Sequence, residues 1–261
     1  MKGYIEACLS LYSRFTNWVQ SICIKILKQG PIPRHVAFIM DGNRRYAQRH
    51  NIPISAGHFR GFQSLEKILE SCMNLGVKAV TAYAFSIDNF NRTTEEVDAL
   101  MNLAKERLEF FCTKSELIKH HQIRIKVIGK LSLLPDDVRA AAEKAMSFTE
   151  CHKNALLTIC FPYTSTDEMV NVLQQKLPSL DELTIDGVEN SLYTSYAPPL
   201  DILIRTSGES RLSDFLLWQT SIQNAQIHFV DVAWPDFSLW TLLPIILSFQ
   251  IRYESTPEQS H

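Results

Sequence analysis

The sequence predicts a single α/β domain with a mainly parallel central sheet flanked by helices, and three observations carry that expectation. Short apolar runs of strand length alternate with longer segments of helical period, the pattern of repeated βαβ units. Glycine and proline punctuate the joints between them. At 261 residues, 46% of them hydrophobic, the chain can bury one sizeable core, and it carries no internal repeat and no low-complexity stretch.

Residues 1–30 form an N-terminal amphipathic helix. Ile5, Cys8, Leu9, Tyr12, Phe15, Val19, Ile22, Cys23 and Ile26 recur at helical spacing, Leu11 and Trp18 widen the face, and Gly30-Pro31 ends it. Lys2, Arg14, Lys25 and Lys28 add cationic positions, so the helix suits either packing on the domain or lying in a membrane surface. Residues 31–254 form the main domain, with a first strand at 36–40. A helix over 61–75 closes at Gly76, and a second strand spans 78–85. Thr93 and Glu96 make a capping-box signature, and Val97, Leu100, Met101, Ala104, Leu108 and Phe111 mark one face of the long helix that follows. A third strand spans 123–128, a helix opens at Pro135 and runs to 148, and a fourth strand spans 156–161. Helical pieces over 166–192, strands at 200–204 and 226–229, and an apolar helix over 240–253 complete the domain. Residues 255–261 read as a polar tail.

The formal net charge is −2, which gives no global attraction to nucleic acid, so an anion site has to be local. Six cysteines are scattered with no CxxC pair and no zinc-like histidine spacing, which predicts reduced thiols in an intracellular protein. Asn91-Arg92-Thr93 matches a glycosylation sequon, which a cytosolic location would leave unmodified. No apolar run approaches the ~18 residues of a membrane span, and no compact apolar core precedes a signal-cleavage site.

The stretch HVAFIMDGNRRYAQRH, residues 35–50, runs an apolar strand straight into Asp41-Gly42-Asn43 and two arginines. Asn43 reads as an N-cap, which places Arg44 and Arg45 in the first turn of a helix. Cations there oppose the macrodipole by roughly 0.3–1 kcal/mol each, a cost that a bound anion would offset. Two further arginine-bearing clusters follow predicted strands: residues 86–92, and 205–213. Ligands of parallel sheets bind outside the carboxyl ends of the strands, so the three loops together predict a site for two or more phosphate groups. No GxxxxGK[ST], GxGxxG or GxSxG motif is present. Asp41 is the only carboxylate beside Gly42, and one carboxylate plus substrate phosphates is how Mg²⁺ is usually held.

MDGNRRYA, GHFRGF, YAFSIDNFNR, EEVDALMNL, DILIRTSGESRLSDFLLWQ and WPDF, in this order between residues 35 and 249, resemble the cis-prenyltransferases. Within that undecaprenyl-diphosphate-synthase-like family, the likeness is to the eukaryotic branch that makes dehydrodolichyl diphosphate. The resemblance implies an α/β domain whose helices enclose an apolar tunnel. It implies a Mg²⁺-dependent transferase that adds isopentenyl diphosphate to an allylic primer, farnesyl diphosphate, with cis double bonds. Dolichol synthesis and protein glycosylation are the processes implied, at the cytosolic face of the endoplasmic reticulum membrane, with lipid droplets as a second location. The alternative is a non-catalytic prenyltransferase-like subunit that stabilises an active partner. The DDxxD motifs of the other prenyl synthase class are absent, since Asp136-Asp137 is followed by Val138-Arg139-Ala140.

Site residues follow from the same resemblance. Asp41 would be the magnesium-linked catalytic residue, with Asn89 and His58 beside the reacting groups. Gly42, Asn43, Arg44, Arg45 and Arg92 would hold the allylic diphosphate, and Phe85 and Ser86 would line the site. Arg205, Arg211 and Ser213 would hold isopentenyl diphosphate. Phe90, Trp218 and Trp234 read as core. Each added isoprene unit buries four to five carbons, worth roughly 3–4 kcal/mol at about 0.8 kcal/mol per CH₂, so a growing chain stays bound. Two departures stand out. Ile54 occupies the place of an arginine in several bacterial relatives, and Gln226 that of a glutamate. Single-subunit members of the resembled family end in an RxG motif that completes the neighbouring subunit's site. No glycine follows Gly208 here, so the resemblance implies that a second subunit of the Nogo-B-receptor class donates the motif.

Overall fold

The computed structural model describes residues 2–113, 115–176 and 184–255. Helix α1 (Lys2–Leu27) precedes β1 (His35–Ile39), α2 (Asn43–Arg49), α3 (Ile54–Leu75), β2 (Ala79–Tyr83) and α4 (Thr94–Thr113). Next come α5 (Glu116–His120), β3 (Ile123–Ile128), α6 (Asp136–Phe148), β4 (Ala155–Cys160), α7 (Ser165–Lys176) and α8 (Ile185–Glu189). β5 (Ile202–Arg205), α9 (Leu217–Ile222), β6 (Gln226–Phe229) and α10 (Leu239–Ser255) complete the described chain. The strands form one sheet in the order β3-β4-β2-β1-β5-β6, and every pairing is parallel. The α/β expectation therefore holds, and β3 and β6 fall on their predicted residues.

Parallel strands covered on both faces are buried throughout, and β1, β2 and β5 are buried at every position. Alternation sorts their side chains. Val36 and Phe38 join the main core with Leu65, Leu69, Leu108 and Phe111 of α3 and α4. Ala37 and Ile39 face the smaller cluster of Leu203, Phe215 and Leu216.

Three expectations need correction. The helix expected from residue 61 begins at Ile54, after Pro53, because Gly57 and Gly61 sit inside it as packing positions. A Cβ at Gly57 would lie 2.5 Å from the Asn43 carbonyl, and one at Gly61 would lie 2.3 Å from Asn43 Oδ1, so both glycines let α2 press against α3. Asn43 is not an N-cap: Gly42 holds that place with φ 99°, and no side chain caps α2. Helices α5 and α9 were not anticipated, being too short to show a period.

The last turn of α1 packs on the domain through Ile24 and Leu27, and Gln250 Nε2 donates to the Leu27 carbonyl at 2.6 Å. Phe15 and Trp18, one turn apart, remain exposed. No described helix is long and apolar enough to cross a membrane. The described cysteines Cys23, Cys72, Cys112, Cys151 and Cys160 are unpaired. Of the expected tail only Ser255 lies within the described residues, as the end of α10.

Candidate active site

Register builds the centre of the site. β1 and β5 pair in parallel with Ile39 opposite Arg205, so the chain leaving β1 brings Asp41 beside the arginine that ends β5. Arg205 Nη2 donates to Asp41 Oδ2 at 2.9 Å, and Arg205 is only 3% exposed. A buried guanidinium demands partners. Arg205 Nη1 supplies two more contacts, to the Arg211 carbonyl and to Ser213 Oγ at 2.7 Å. The Gly42 N–H donates to Asp41 Oδ1 at 2.7 Å. Thr206 Oγ1, 3.0 Å from the Asp41 N–H and 2.8 Å from the Asp41 carbonyl, fixes the turn from the other side. Gly42 cannot be replaced there, because a Cβ would meet Ser207 Oγ at 2.5 Å in a left-handed backbone.

Around this centre, Asp41, Gly42, Asn43, Arg44, Arg45, His58, Arg92 and Arg211 line one open polar pocket of about 1020 Å³. Two carboxylates absent from the sequence-based site hold its cations in place. Glu209 pairs with Arg45 at 3.3 Å and with Arg211. Glu96 pairs with Arg92 at 2.8 Å, and with Arg44 at 3.9 Å. The Arg92–Glu96 pair has i,i+4 spacing across the start of α4, a signal legible in sequence that the capping-box role of Glu96 masked. His58 Nε2 lies 3.7 Å from Glu96 and makes no hydrogen bond. Burial, reinforced by Arg92, lowers the His58 pKa to about 4 against the opposing pull of Glu96, so the imidazole is neutral.

A second, apolar cleft opens from the same wall and runs between the sheet, α3 and α4 over about 800 Å³, counted out to its mouth. Met40, Asn43 and His58 belong to both spaces; Phe62, Leu65, Ala104, Leu108, Phe111 and Phe161 line the depth of the apolar one. Arg107 sits in its wall, its guanidinium 4.9 Å from the centre of Phe59 and 5.1 Å from that of Phe62.

Some expected residues are elsewhere. Phe85 is a core residue, 1% exposed and packed against Phe90 and Phe161, while Trp234, expected in the core alone, lines the apolar cleft. Trp234 is also fully buried, its indole N–H donating to the Gly61 carbonyl at 2.7 Å. Ser86 and Asn89 cap one another across a short 3₁₀ turn, with the Ser86 N–H donating to Asn89 Oδ1 at 3.2 Å. Neither lines the polar pocket, because the mutual cap turns their polar atoms onto their own backbone. Gln226 lies on β6, away from both spaces.

Among the described residues no cluster of three or more metal-ligating side chains exists. Asp41 is the carboxylate beside Gly42; like Glu209 and Glu96 it is engaged by arginines, Arg205 at 2.9 Å and Arg45 at 3.6 Å. That donor set does not form a protein cage, and it fits a magnesium ion held by one carboxylate, waters and a phosphorylated substrate.

Comparison with known proteins matches this arrangement. Residues 39–256 match the prenyltransferase family model described as "Putative undecaprenyl diphosphate synthase". The chain is 42% identical over 255 residues to a dehydrodolichyl diphosphate synthase complex subunit of Homo sapiens, covering 95% of this chain and 74% of that one. It is 41% identical over 241 residues to the corresponding complex subunit of Schizosaccharomyces pombe, covering 90% and 91%. The crystal structure of lavandulyl diphosphate synthase from Lavandula x intermedia, in complex with dimethylallyl diphosphate, superposes with a TM-score of 0.78 at 30% identity. That match covers 85% of this chain and 97% of the lavender enzyme. An all-parallel sheet with an arginine-rich pocket at the mouth of an apolar cleft, and a family match across most of the chain, lead to one assignment: the chain belongs to the undecaprenyl diphosphate synthase family of cis-prenyltransferases.

Proposed function

We propose that this chain is the catalytic subunit of a Mg²⁺-dependent enzyme that adds isopentenyl diphosphate units to farnesyl diphosphate. Its product would be a long-chain dehydrodolichyl diphosphate for dolichol synthesis and protein glycosylation. One observation carries the reading: an arginine of each group, Arg45 at 3.6 Å and Arg205 at 2.9 Å, meets Asp41 at the entrance of an apolar cleft. Two anionic substrates need two cationic sites, and a growing hydrocarbon needs an apolar channel beside them.

In each cycle a carbon–carbon bond forms between the isopentenyl double bond and C1 of the allylic substrate. The allylic C–O bond breaks, diphosphate leaves, and the isopentenyl unit loses a proton. Arg44, Arg45 and Arg92 are suited to hold the allylic diphosphate, and Gly42 lets it approach the backbone closely. Arg205, Arg211 and Ser213 are suited to hold isopentenyl diphosphate. Negative charge grows on the leaving diphosphate as the C–O bond stretches, and fixed guanidinium groups stabilise it without reorganising. Neutral His58, at the wall shared by both spaces, can donate a hydrogen bond to that group without adding a competing cation. Asp41 would hold Mg²⁺, which supplies further charge neutralisation to the departing diphosphate. Asn89 and Ser86 act in this reading by shaping the turn that presents Arg92.

A partner subunit belongs to the proposal. Relatives of this chain are named as subunits of a complex, and the polar pocket opens to solvent. An RxG-bearing subunit of the Nogo-B-receptor class would complete it. Exposed Phe15 and Trp18 on α1 support peripheral contact with the endoplasmic reticulum membrane, into which the product would leave. The test is incorporation of radiolabelled isopentenyl diphosphate with farnesyl diphosphate and Mg²⁺, with and without a co-expressed RxG subunit. Long polyprenyl products from the pair and little from the chain alone are expected. Full activity of the purified chain alone would overturn the partner requirement, and no product from the pair would overturn the enzyme assignment.

A further inference from the structure

The segment between β5 and α9 contains four non-glycine residues in left-handed backbone: Ser207 (φ 77°), Ser213 (φ 50°), Asp214 (φ 55°) and Leu216 (φ 46°). Such backbone is disfavoured for L residues and persists only where the surroundings over-determine it. Here the constraint is a reciprocal cap between two helices. The Asp214 carboxylate accepts the Thr166 N–H at 3.1 and 3.3 Å, and the Asp214 carbonyl accepts the Ser165 N–H at 2.7 Å. These are first-turn donors of α7, which have no partner inside their own helix. In return, Ser165 Oγ accepts the Leu217 N–H at 2.9 Å, at the start of α9. The Tyr83 hydroxyl adds a third hold by donating to the Ser213 carbonyl at 3.2 Å.

The lock sets the position of one hydroxyl. Exposed Ser213 Oγ accepts from Arg205 Nη1 at 2.7 Å, and the other end of that guanidinium pairs with Asp41. Asp214 therefore stands two side chains from Asp41 without lining the polar pocket. We propose that Asp214 is a positioning residue for isopentenyl diphosphate, fixing Ser213, and through it the Arg205 guanidinium at the end of β5, by clamping the Ser213 loop to the start of α7. The proposal rests on assigning Arg205, Arg211 and Ser213 to that substrate.

The test compares Asp214→Ala, Asp214→Gly, Asp214→Asn, Ser165→Ala and Ser213→Ala in the partner-bound enzyme. Readouts are kcat, KM for each diphosphate, direct binding of labelled isopentenyl diphosphate, and thermal midpoint. Asp214→Ala and Asp214→Gly should raise KM and Kd for isopentenyl diphosphate about tenfold, the scale of a lost hydrogen bond to a charged group. The KM for farnesyl diphosphate should stay unchanged. Glycine tolerates the backbone yet cannot cap, so its failure to rescue would separate the cap from conformational strain. Asp214→Asn should return KM to within about twofold, since asparagine accepts the same N–H and tolerates the left-handed region. An unchanged KM for isopentenyl diphosphate in both Ala and Gly variants, or equal changes for both substrates, would overturn the proposal. Should Asp214→Ala not fold, Ser165→Ala opens the lock from the α7 side and should raise the same KM about threefold, on the scale of a lost cap; no change there is equally fatal. An unchanged KM in Ser213→Ala would overturn the substrate assignment beneath the proposal.

Discussion

The polar pocket and the apolar cleft share Met40, Asn43 and His58 as a common wall, yet opposite physics shapes them. In the pocket every cation described has a carboxylate partner: Arg205 has Asp41, Arg45 and Arg211 have Glu209, and Arg44 and Arg92 have Glu96. Its own ion pairs therefore hold the site in shape, and under the proposed function a diphosphate entering it would compete with three carboxylates for pre-placed guanidinium groups. Below the wall that carries Asn43 and His58, and apart from the Arg107 guanidinium, rings and aliphatic side chains shape the cleft, and an isoprenoid would bind there mainly by area. Under the proposed function the pocket would distinguish the head of a substrate and the cleft would chiefly measure its length.

Four experiments break or sharpen that contrast, from the largest expected effect to the smallest. Asp41→Asn removes the charge on which both arginine groups converge. Turnover should fall about 10²–10³-fold, the scale of losing one preorganised electrostatic contact, as read by labelled isopentenyl incorporation. Ala104→Phe fills the cleft and leaves the pocket intact. Product analysis should show chains shorter by several units while the first condensation survives, with overpacking costing roughly 1–3 kcal/mol of stability.

Third, acid should act on buried His35 and half-buried His58. Burial lowers His35 and His58 from the usual value of 6.5 to about 4. A depressed histidine pKa means the unfolded chain binds more protons between pH 6.5 and pH 4, so stability is lost as pH falls through that window. The loss is roughly 3 kcal/mol for each by about pH 4, measurable as a falling urea midpoint. His35, held between the Pro198 carbonyl and Thr81 Oγ1 at the start of β1, lies away from both spaces. His35→Gln should flatten the pH dependence without altering the isopentenyl KM at neutral pH, whereas His58→Gln should change both. Smallest of the four, Glu209→Gln loosens Arg45 and Arg211 at the rim of the pocket and should move either substrate's KM only about twofold to fivefold, since such half-exposed pairs are weak. A larger effect would mean that the rim, and not the buried Asp41–Arg205 pair, dominates head-group binding.

Much of the fold was legible because apolar periodicity is a local property. The runs at 123–128 and 226–229 were read to the residue, since turn-forming neighbours bound them. The start of α3 was missed because Gly57 and Gly61 look like helix breakers, and only the approach of Asn43 reveals them as helix-packing positions. Arg44, Arg45, Arg92, Arg205 and Arg211 could be nominated from loops that follow strands. The capping-box role of Glu96 masks its pairing with Arg92, and Glu209 beside arginines reads as a solvated face until burial is known. Phe85 and Trp234 exchanged expected places for a similar reason. A sequence gives an aromatic's hydrophobicity, and packing alone decides whether its ring borders a cavity.

By itself the sequence determined the parallel α/β architecture, the location of the arginine-bearing loops and the family, because periodicity, turn chemistry and motif order are written along one dimension. Only the tertiary structure decided that Arg205 meets Asp41, that Arg44 and His58 join the local Arg92–Glu96 pair, and that Asp214 clamps Ser213 to α7. Those contacts join residues from separate elements, most of them far apart in the chain. Strand register and helix packing bring them within reach, and neither is encoded in any local segment.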